Sequence, residues 1–355
     1  MIAIVPSTIA ELADAVRATP CVLAVGARTK PRLSAVAGGV ALLSTRRLSG
    51  IVEYDPGEFT FTALAGTPVR EISAALAERG QYLPFDPLLA GSGATLGGTV
   101  ASGLSGPGRF RFGGVRDFIL GVRFVDGAGR LLRMGGKVVK NAAGFDLPKF
   151  FVGSLGRFGV LAEMTFKVFP RAVSTRTLKL TLDGIEAAAR VLTEAGNTRW
   201  EPDALDLLPD GRSVLLRLAA PESAIAAISR EILSRWPGTV LDAEEAARSW
   251  SEIGEFSWTH AERELIKVTL TAARLPALHR SLVGARIHAS AGGDVAFVSL
   301  PNDVASDEKL RALGLPGMTL RGAGPLWCGI RERPQISQAV KDALDPQQRF
   351  PTLDD

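Results

Sequence analysis

The sequence is poor in the residues that build metal centres and disulfides. It contains two cysteines and three histidines among 355 residues. Cys21 and Cys328 lie far apart and match no metal or redox spacing, and an iron–sulfur cluster usually takes about four cysteines. His260, His279 and His288 lack the spacing of zinc ligands. We therefore predict a reduced protein with no metal site of its own.

Long apolar runs and a targeting segment are also missing. No uncharged apolar run reaches the length of about 18 residues that a membrane-spanning helix needs. The first residues, MIAIVPSTIAELADAV, lack the basic region and the small-residue cleavage site of a secretory signal. We expect no membrane span and a cytoplasmic location, with any contact to the inner membrane made through partner proteins.

Positive charge is concentrated in one part of the chain. The net charge is +4, but residues 107–176 contain 13 Lys and Arg against 4 Asp and Glu. A basic region of this kind binds nucleic acid, an anionic small ligand or an acidic partner. These cations alternate with glycines and strand-like apolar runs and do not form a helical stripe with aromatic residues. The pattern therefore favours an anionic small ligand over nucleic acid.

Glycine is abundant in the same region. Four clusters lie within one half of a domain, at 91–98, 103–108, 113–114 and 153–159. Glycine permits positive φ angles and lets a ligand approach the backbone, whose N–H groups can then hold a phosphate or pyrophosphate. Plain β-hairpin turns explain one or two such clusters but not all four.

Hydrophobic periodicity divides the chain into two parts. The first part mixes short strands with few helices. The predicted helices are 8–18, with a capping box of Thr8 and Glu11, and 68–79; the predicted strands are 21–26, 41–45, 51–55, 59–66, 118–126, 130–136 and 159–169. After Pro170, alanine-rich helices alternate with strands: helices at 183–196, 221–235 and 242–253, strands at 213–219, 265–271 and 295–301. We predict domains at 1–170 and 171–330, and a segment at 331–355 that ends in a helix and returns to the first domain.

The order of the glycine motifs resembles the FAD-binding subunit of bacterial glycolate oxidase. That subunit is one of the flavoproteins with the PCMH-type, or vanillyl-alcohol-oxidase-like, FAD-binding fold. The resemblance covers roughly residues 20–170 and includes the stretches ATLGGTVASG, KVVKNAAGFD and GSLGRFGVLAEM. GSLGRFG does not stand between a strand and a helix, so a Rossmann fold is disfavoured. The resemblance implies an α+β protein: a PCMH-type FAD-binding domain followed by a second, α/β cap domain.

The resemblance also implies where FAD is held. The first phosphate loop is Gly26, Ala27, Arg28, Thr29 and Lys30, whose backbone N–H groups face the pyrophosphate. The second wall is Thr95, Leu96, Gly97, Gly98, Ala101, Ser102 and Gly103, with Thr95 and Ser102 as hydroxyl donors. Some relatives link FAD to a histidine, but no histidine precedes His260 here, so we expect noncovalent FAD.

Further contacts follow from the same resemblance. Pro84, Phe85 and Asp86 are expected beside the flavin or ribityl chain, and Gly156, Gly159 and Val160 beside the adenine. Lys140, Asn141, Gly144 and Asp146 belong to the segment KNAAGFD that is typical of the subunit, and Arg109 is a further candidate. Other interpretations stay open: Lys140 and Asp146 as a surface ion pair, Arg109 as a solvated loop charge, and Asp86 as a turn residue between two prolines.

The sequence assigns no catalytic residue. Flavin oxidation of a 2-hydroxy acid needs a cation for the carboxylate and a base for the hydroxyl proton. The second domain has no tyrosine, and its candidates are His260, Arg263, Lys267, Arg286 and His288. A helix over WTHAERELIKV would set His260 and Arg263 one turn apart.

Three functions remain open. The first is an FAD-binding subunit of a glycolate (2-hydroxy acid) oxidase or dehydrogenase complex, with a catalytic FAD subunit and an iron–sulfur subunit as partners. The second is a stand-alone FAD-dependent oxidoreductase that acts on another alcohol or hydroxy acid. The third is a structural subunit that keeps the fold and binds nothing.

Overall fold

The chain folds into two compact units. A computed structural model describes residues 3–36, 38–136, 146–302, 304–331, 335–352 and 354. The first unit consists of Met1–Ser105, Gly114–Pro170 and Glu332–Asp355, and the second of Gly106–Gly113 and Arg171–Arg331. The chain therefore leaves the first unit twice and returns to it twice. The segment Gly106–Gly113 belongs to the second unit, although the sequence prediction assigned it to the first domain.

The first unit combines a parallel and an antiparallel sheet. Its strands are β1 (Ala3–Ile4), β2 (Val22–Val25), β3 (Ala41–Ser44), β4 (Ile51–Asp55), β5 (Thr60–Leu64), β6 (Gln81–Tyr82), β7 (Ile119–Val125), β8 (Leu131–Gly135), β9 (Val160–Lys167) and β10 (Phe169–Pro170). The parallel sheet has the order β1-β3-β2, and the antiparallel sheet the order β4-β5-β9-β7-β8. Strands β6 and β10 form a separate antiparallel pair.

The helices are distributed over both units. In chain order they are α1 (Ile9–Ala18), α2 (Val69–Ala77), α3 (Leu96–Ser102), α4 (Arg109–Phe112), α5 (Val115–Phe118), α6 (Leu147–Phe150), α7 (Ile185–Gly196), α8 (Glu222–Arg235), α9 (Ala243–Gly254), α10 (Leu275–Ser281), α11 (Ser306–Ala312) and α12 (Gln335–Leu344). Single 3₁₀ turns cover Pro31–Ser34, Ala272–Arg274 and Ala291–Gly293. No helix in these described ranges is long and apolar enough to cross a membrane.

Local sequence signals explain where the first elements begin and turn. The Thr8 hydroxyl accepts from the Glu11 N–H at 3.1 Å and caps α1, while the Glu11 carboxylate accepts from the Ser7 N–H at 2.7 Å. The predicted capping box is therefore present, with its return bond shifted by one residue. In the turn between β4 and β5, the Asp55 carboxylate accepts from the N–H groups of Gly57 and Glu58.

Phenylalanines fill the core behind the antiparallel sheet of the first unit. Phe61 and Phe166 are cross-strand neighbours on β5 and β9, and their rings stack with centroids 5.7 Å apart. Phe85 is fully buried and lies 5.5 Å from Phe118 and 6.3 Å from Phe166, measured between ring centroids. Aromatic pairs of this kind stabilise a core beyond their buried area, by roughly 0.5–1.5 kcal/mol each.

The second unit is built on one large antiparallel sheet. Its strands are β11 (Thr175–Thr181), β12 (Ala204–Leu207), β13 (Ser213–Ala219), β14 (Gly238–Val240), β15 (Glu264–Thr269), β16 (Arg286–Ser290), β17 (Val295–Leu300), β18 (Pro316–Arg321) and β19 (Trp327–Gly329). Their order is β14-β11-β13-β12-β16-β17-β15-β18-β19. The predicted alternation of helices and strands is present, with antiparallel pairing throughout the described strands. The α+β class predicted for the whole chain is confirmed.

Candidate functional site

A cleft in the first unit opens between the loop that follows β2 and helix α3. It encloses about 450 Å³, including the space open to solvent. Nine of the residues predicted to bind the cofactor line it: Gly26, Ala27, Arg28, Thr29, Lys30, Thr95, Gly98, Ala101 and Ser102. Four further lining residues were not predicted from the sequence: Ala24, Leu33, Ser34 and Leu155. The structure thus brings together two segments that lie about seventy residues apart in the chain.

The loop 26–30 has the properties of an anion-binding backbone turn. Gly26 lies so close to Thr95 that a Cβ atom at this position would overlap the Thr95 hydroxyl. Arg28 has a φ angle of 56°, in the left-handed region, which is one of the conformations that form anion-binding nests. Within the part of the chain that the structure describes, no group accepts a hydrogen bond from the N–H groups of residues 26–30. These N–H groups are therefore available to a phosphate.

Lys30 adds a buried positive charge to this loop. Its side chain is only 9% exposed, and its Nζ donates to the Thr29 hydroxyl at 3.2 Å. Burial lowers the pKa of the Lys30 ammonium to about 8. Among the described residues no carboxylate pairs with it. Holding an unpaired ammonium out of water costs on the order of several kcal/mol, so an anionic ligand in the cleft explains why this lysine is there.

Helix α3 shapes the opposite wall. Thr95 caps the helix, and the left-handed Gly103 ends it. The N–H groups of its first turn are bonded within the first unit: Leu96 to the Thr67 carbonyl at 2.9 Å, Gly97 to the Ala65 carbonyl at 2.8 Å, and Gly98 to the Thr95 hydroxyl at 3.3 Å. The helix therefore contributes shape and the Thr95 hydroxyl rather than unpaired backbone donors. The sequence prediction gave this segment as a glycine-rich wall and missed that it is helical.

The two adjacent glycines of α3 have different surroundings. A Cβ atom at Gly97 would lie 2.9 Å from both the Cβ and the carbonyl oxygen of Ala65, so this glycine allows α3 to pack on the adjoining backbone. A Cβ atom at Gly98 would meet only the Thr95 hydroxyl, at 3.1 Å, and Gly98 lines the cleft. Gly98 thus keeps space open for a ligand, whereas Gly97 serves packing.

Other predicted residues lie in the supporting structure instead of on the cleft lining. They are Pro84, Phe85, Asp86, Leu96, Gly97, Gly103, Gly156, Gly159 and Val160. The Phe85 side chain is part of the aromatic core, so only its backbone remains for a ligand contact. Gly156 has a φ angle of 76°, and a Cβ atom there would lie 3.3 Å from Leu23 on β2. Val160 is fully buried at the start of β9.

The remaining predicted contacts fall into three groups. Arg109 begins α4 and belongs to the second unit, not to the unit that contains the cleft. Asp146 precedes α6 and forms a half-exposed ion pair with Lys149 at 2.9 Å, which is worth little. The alternative interpretation, in which Asp146 belongs to a surface ion pair, is therefore supported, and the partner that the structure gives Asp146 is Lys149. Lys140, Asn141 and Gly144 lie outside the described residues.

No helix covers WTHAERELIKV, so the spacing of one helical turn considered for His260 and Arg263 does not apply, and a strand lies at Glu264–Thr269 where one was predicted at 265–271. α9 ends at Gly254, the Arg263 N–H donates to the His260 carbonyl within a turn, and β15 begins at Glu264. The residues at 265–268 include β-branched residues, which favour a strand over a helix at this point of the chain. His260 is exposed, and Arg263 points to the backbone and hydroxyl of Ser299. The two side chains therefore do not share a helix face.

Comparison with known proteins gives the class of the first unit. Residues 2–135 match the model of the FAD binding domain family. The loop with unpaired N–H groups, the buried Lys30 and the open space at Gly98 fit a pyrophosphate-containing cofactor. Residues 2–135 are therefore similar to FAD-binding domains, the first unit has the PCMH-type fold, and the predictions of this fold and of FAD are confirmed.

Two known proteins and one solved structure are similar to longer parts of this chain. The chain is 40% identical over 216 residues to the glycolate oxidase subunit GlcE of Escherichia coli (strain K12), covering 60% of this chain and 58% of that protein. It is 28% identical over 245 residues to the glycolate oxidase subunit GlcD of Bacillus subtilis (strain 168), covering 68% of this chain and 52% of that protein. The chain therefore spans little more than half the length of these relatives. A structure of alkyldihydroxyacetonephosphate synthase shares the fold, with a TM-score of 0.70, 16% identity, and coverage of 98% of this chain and 76% of that chain.

Proposed function

We propose that this chain is the FAD-binding subunit of a glycolate, or related 2-hydroxy acid, oxidase or dehydrogenase complex. The observation that carries the proposal is the buried, unpaired ammonium of Lys30 beside the unpaired N–H groups of residues 26–30. The 40% identity to a protein named as a glycolate oxidase subunit supports the substrate class and the role as a subunit. When bound, FAD accepts electrons and releases them again, so that other redox groups of such a complex can receive them.

In this proposal the residues of the cleft bind and orient the cofactor. The N–H groups of residues 26–30 and the Lys30 ammonium hold the pyrophosphate oxygens. The Thr95 hydroxyl accepts from Gly98, so its own proton is free to be donated to a phosphate oxygen. Gly98 leaves the room that such an approach needs. Binding is noncovalent, since the whole sequence has no histidine before His260.

The proposed partners are a catalytic FAD subunit and an iron–sulfur subunit. The whole chain has only Cys21 and Cys328, and neither forms a disulfide. Two cysteines do not ligate a cluster that takes about four. Electrons that reach this flavin therefore leave it through another protein or through oxygen. We include in the proposal a cytoplasmic, reducing environment, which suits two free thiols.

The test is dye reduction by the purified chain, alone and with the proteins that co-purify with it. We expect the chain to carry yellow flavin that acid or heat precipitation releases into the supernatant. With glycolate or lactate, the chain alone should give little or no turnover, and the complex should give ordinary rates of about 1–1000 per second. Flavin that stays on the pellet contradicts noncovalent binding. Ordinary rates from the chain alone would replace the subunit proposal with a stand-alone oxidoreductase.

A further inference from the structure

The large sheet of the second unit ends in two edge strands with different surroundings. At one edge, β19 is closed by α11: the Gly329 N–H donates to the Asp307 carboxylate at 2.8 Å, and Gly329 is buried. At the other edge, all three residues of β14 (Gly238–Val240) are exposed. An edge strand presents N–H and C=O groups that can pair with another strand, and proteins usually cover or charge such an edge. β14 is therefore the open edge of this sheet.

The hydrogen bonds between β14 and β11 fix the direction of the backbone groups of β14. The Thr181 N–H donates to the Pro237 carbonyl at 2.9 Å, and the Leu241 N–H donates to the Thr177 carbonyl at 3.0 Å. Hydrogen-bonded positions alternate along an antiparallel ladder. Positions 237 and 241 therefore face β11, and so does Thr239 between them.

Gly238 and Val240 consequently direct their N–H and C=O groups away from the sheet. No residue in the described part of the chain bonds to these groups. β14 also lacks the usual protection of an edge, since the strand contains no charged residue, no proline and no bulge. The Val240 side chain is 46% exposed. The edge can therefore accept another strand.

This edge is complementary to itself. Two copies of β14 that pair antiparallel about a two-fold axis at Thr239 place Gly238 of each copy opposite Val240 of the other. These are the two positions with outward groups, and opposed residues of this type exchange both N–H···O bonds. The two Thr239 residues then meet at the axis as a pair without hydrogen bonds, with Cα atoms roughly 4.5 Å apart. A second copy of the chain thus satisfies all of the outward groups.

The charges beside β14 favour the same antiparallel arrangement. Arg235, which also pairs with Glu231 in its own helix, lies in the last turn of α8 before the strand. Asp242, Glu244 and Glu245 lie at the start of α9 after the strand. In the two-fold pair the start of one strand lies beside the end of the other, so Arg235 of each copy approaches the acidic start of α9 of the other. Complementary charges of this kind fix the register of an interface.

Helix α9 supplies further surface beside the strand. Stable interfaces bury roughly 1,200–2,000 Å² in total, which is more than a strand of this length can cover. Of the twelve residues of α9, the structure buries Ile253. The helix is held beside β11 through Trp250, whose Nε1–H donates to the Thr177 hydroxyl at 2.9 Å. Its exposed face is therefore fixed next to the open edge and available to the same partner.

We propose that this chain forms a symmetric dimer in which two β14 strands join the large sheets of two second units into one continuous sheet. The occupant of the edge is a second copy of the chain, and the dimer is independent of FAD. A strand from a different subunit is the alternative occupant, and the experiments below distinguish the two.

Disulfide trapping tests the register. Thr239→Cys places two thiols at the axis, where a Cα separation of roughly 4.5 Å lies within the range of disulfides. We expect the oxidised full-length variant to run as a covalent dimer on a non-reducing gel. The control Val173→Cys, at a fully exposed position of the second unit outside the strands, should cross-link at least about tenfold more slowly. The wild type, with Cys21 and Cys328, gives the background.

Sedimentation velocity measures the dimer itself. We expect the wild type to sediment with about twice the chain mass of 37.5 kDa at micromolar concentration. Val240→Pro removes an outward N–H and keeps the bonds of positions 239 and 241 to β11, and it should raise the dissociation constant at least about tenfold. Thr239→Lys sets two like charges together at the axis and should do the same. The control Val173→Lys should leave the dissociation constant unchanged.

Three results would overturn the proposal: a wild type that stays monomeric, a dimer that Thr239→Lys leaves intact, or a Thr239→Cys variant that cross-links no faster than its control. Circular dichroism shows whether each variant folds, and if Val240→Pro does not, Thr239→Lys decides. A monomeric wild type whose binding to a co-purifying subunit is lost in Thr239→Lys would assign the edge to that subunit and not to a second copy. The flavin-to-protein ratio of the same samples reports separately on the proposed function.

Discussion

At the scale of single residues, the cleft depends on a few side chains whose surroundings differ from the ordinary. Lys30 is charged and buried, Arg28 is left-handed without being glycine, and Gly26 and Gly98 both lie against the Thr95 hydroxyl. Each of these features is unfavourable or restrictive in the protein alone. Each is explained by a negatively charged ligand that approaches the backbone closely.

Lys30→Met should weaken FAD binding while leaving the fold intact. The substitution keeps the buried aliphatic stem and removes the ammonium, and with it a charge-assisted hydrogen bond of about 1.5–3 kcal/mol. We expect FAD affinity to fall by roughly 10- to 150-fold. Titration of FAD into flavin-free protein measures the change, with Arg47→Met as the control for an exposed cation of the first unit outside the cleft lining. Equal affinities for wild type and Lys30→Met would remove Lys30 from the site.

FAD affinity should also decrease as the pH rises through about 8. Burial lowers the pKa of Lys30 to that value in the flavin-free protein, so the cation that holds the pyrophosphate is lost above it. One proton is involved, and the slope is at most about tenfold per pH unit. Stability of the flavin-free fold changes in the opposite direction. The unfolded lysine keeps its proton up to its ordinary pKa of 10.5, so the Lys30 contribution to unfolding free energy rises between pH 8 and 10.5. Lys30→Met should abolish both dependences.

Gly98→Val and Gly97→Val should have different effects, although the residues are adjacent. The valine at 98 projects into the cleft and meets only the Thr95 hydroxyl, so the protein folds without retaining FAD. The valine at 97 collides with Ala65, so the first unit is destabilised. Circular dichroism and the flavin-to-protein ratio, measured on both variants, distinguish the outcomes. A full flavin complement in Gly98→Val would show that this part of the wall does not face the cofactor.

At the scale of helices and strands, the sequence predicted elements best where one signal dominated. The capping residue Thr8 and the regular spacing of apolar residues located α1, and strand patterns on either side of Pro56-Gly57 and of Gly127 and Gly129 located both hairpins. Helix α3 was missed because Gly97 and Gly98 lower helix propensity, and only the packing on Ala65 and the Thr95 cap offset this. The Thr95 to Gly103 spacing, a cap residue and a left-handed glycine, was the available signal.

The sequence predicted some of the residues that line the cleft and missed others. The nine predicted cleft residues follow from the resemblance to a known family, because that resemblance places two separate segments of the chain beside the same cofactor. Ala24, Leu33 and Leu155 belong to no sequence motif, because any apolar residue would fit at these positions. The contact between Asp206 and His288, whose Oδ2 and Nε2 atoms lie 2.8 Å apart, could not be predicted from the sequence either. The two residues are 82 positions apart and meet only because β12 and β16 become neighbours in the sheet.

At the scale of the whole molecule, the C-terminal segment completes the first unit. Phe350 packs in the same apolar cluster as Val22 and Leu43, and the Val22 N–H donates to the Arg349 carbonyl at 2.7 Å. The segment thus supports the start of β2, the strand that leads into the phosphate loop. Its own anchor is the buried pair of Lys341 and Asp345, with the Nζ and Oδ2 atoms 2.5 Å apart.

Asp345→Ala should destabilise the first unit. It removes the acceptor of the Lys341 ammonium and of the N–H groups of Arg349 and Phe350, and it leaves a buried cation without its partner. The expected loss is about 3–5 kcal/mol of unfolding free energy. Urea unfolding followed by circular dichroism measures it, with the exposed Asp342→Ala as a control expected to stay within about 0.5 kcal/mol. A loss at Asp345 as small as that of the control would contradict this role.

The return of the chain to its first unit has a consequence for the order of events during synthesis. Residues 335–352 leave the ribosome after everything else that the structure describes in the first unit, yet they brace the strand in front of the cofactor loop. The second unit, apart from the short stretch Gly106–Gly113, is one continuous segment. It can complete its folding before the C-terminal segment of the first unit has been synthesised. The nascent chain is therefore not ready for its flavin until translation has passed the C-terminal segment, so FAD loading follows the synthesis of the whole second unit.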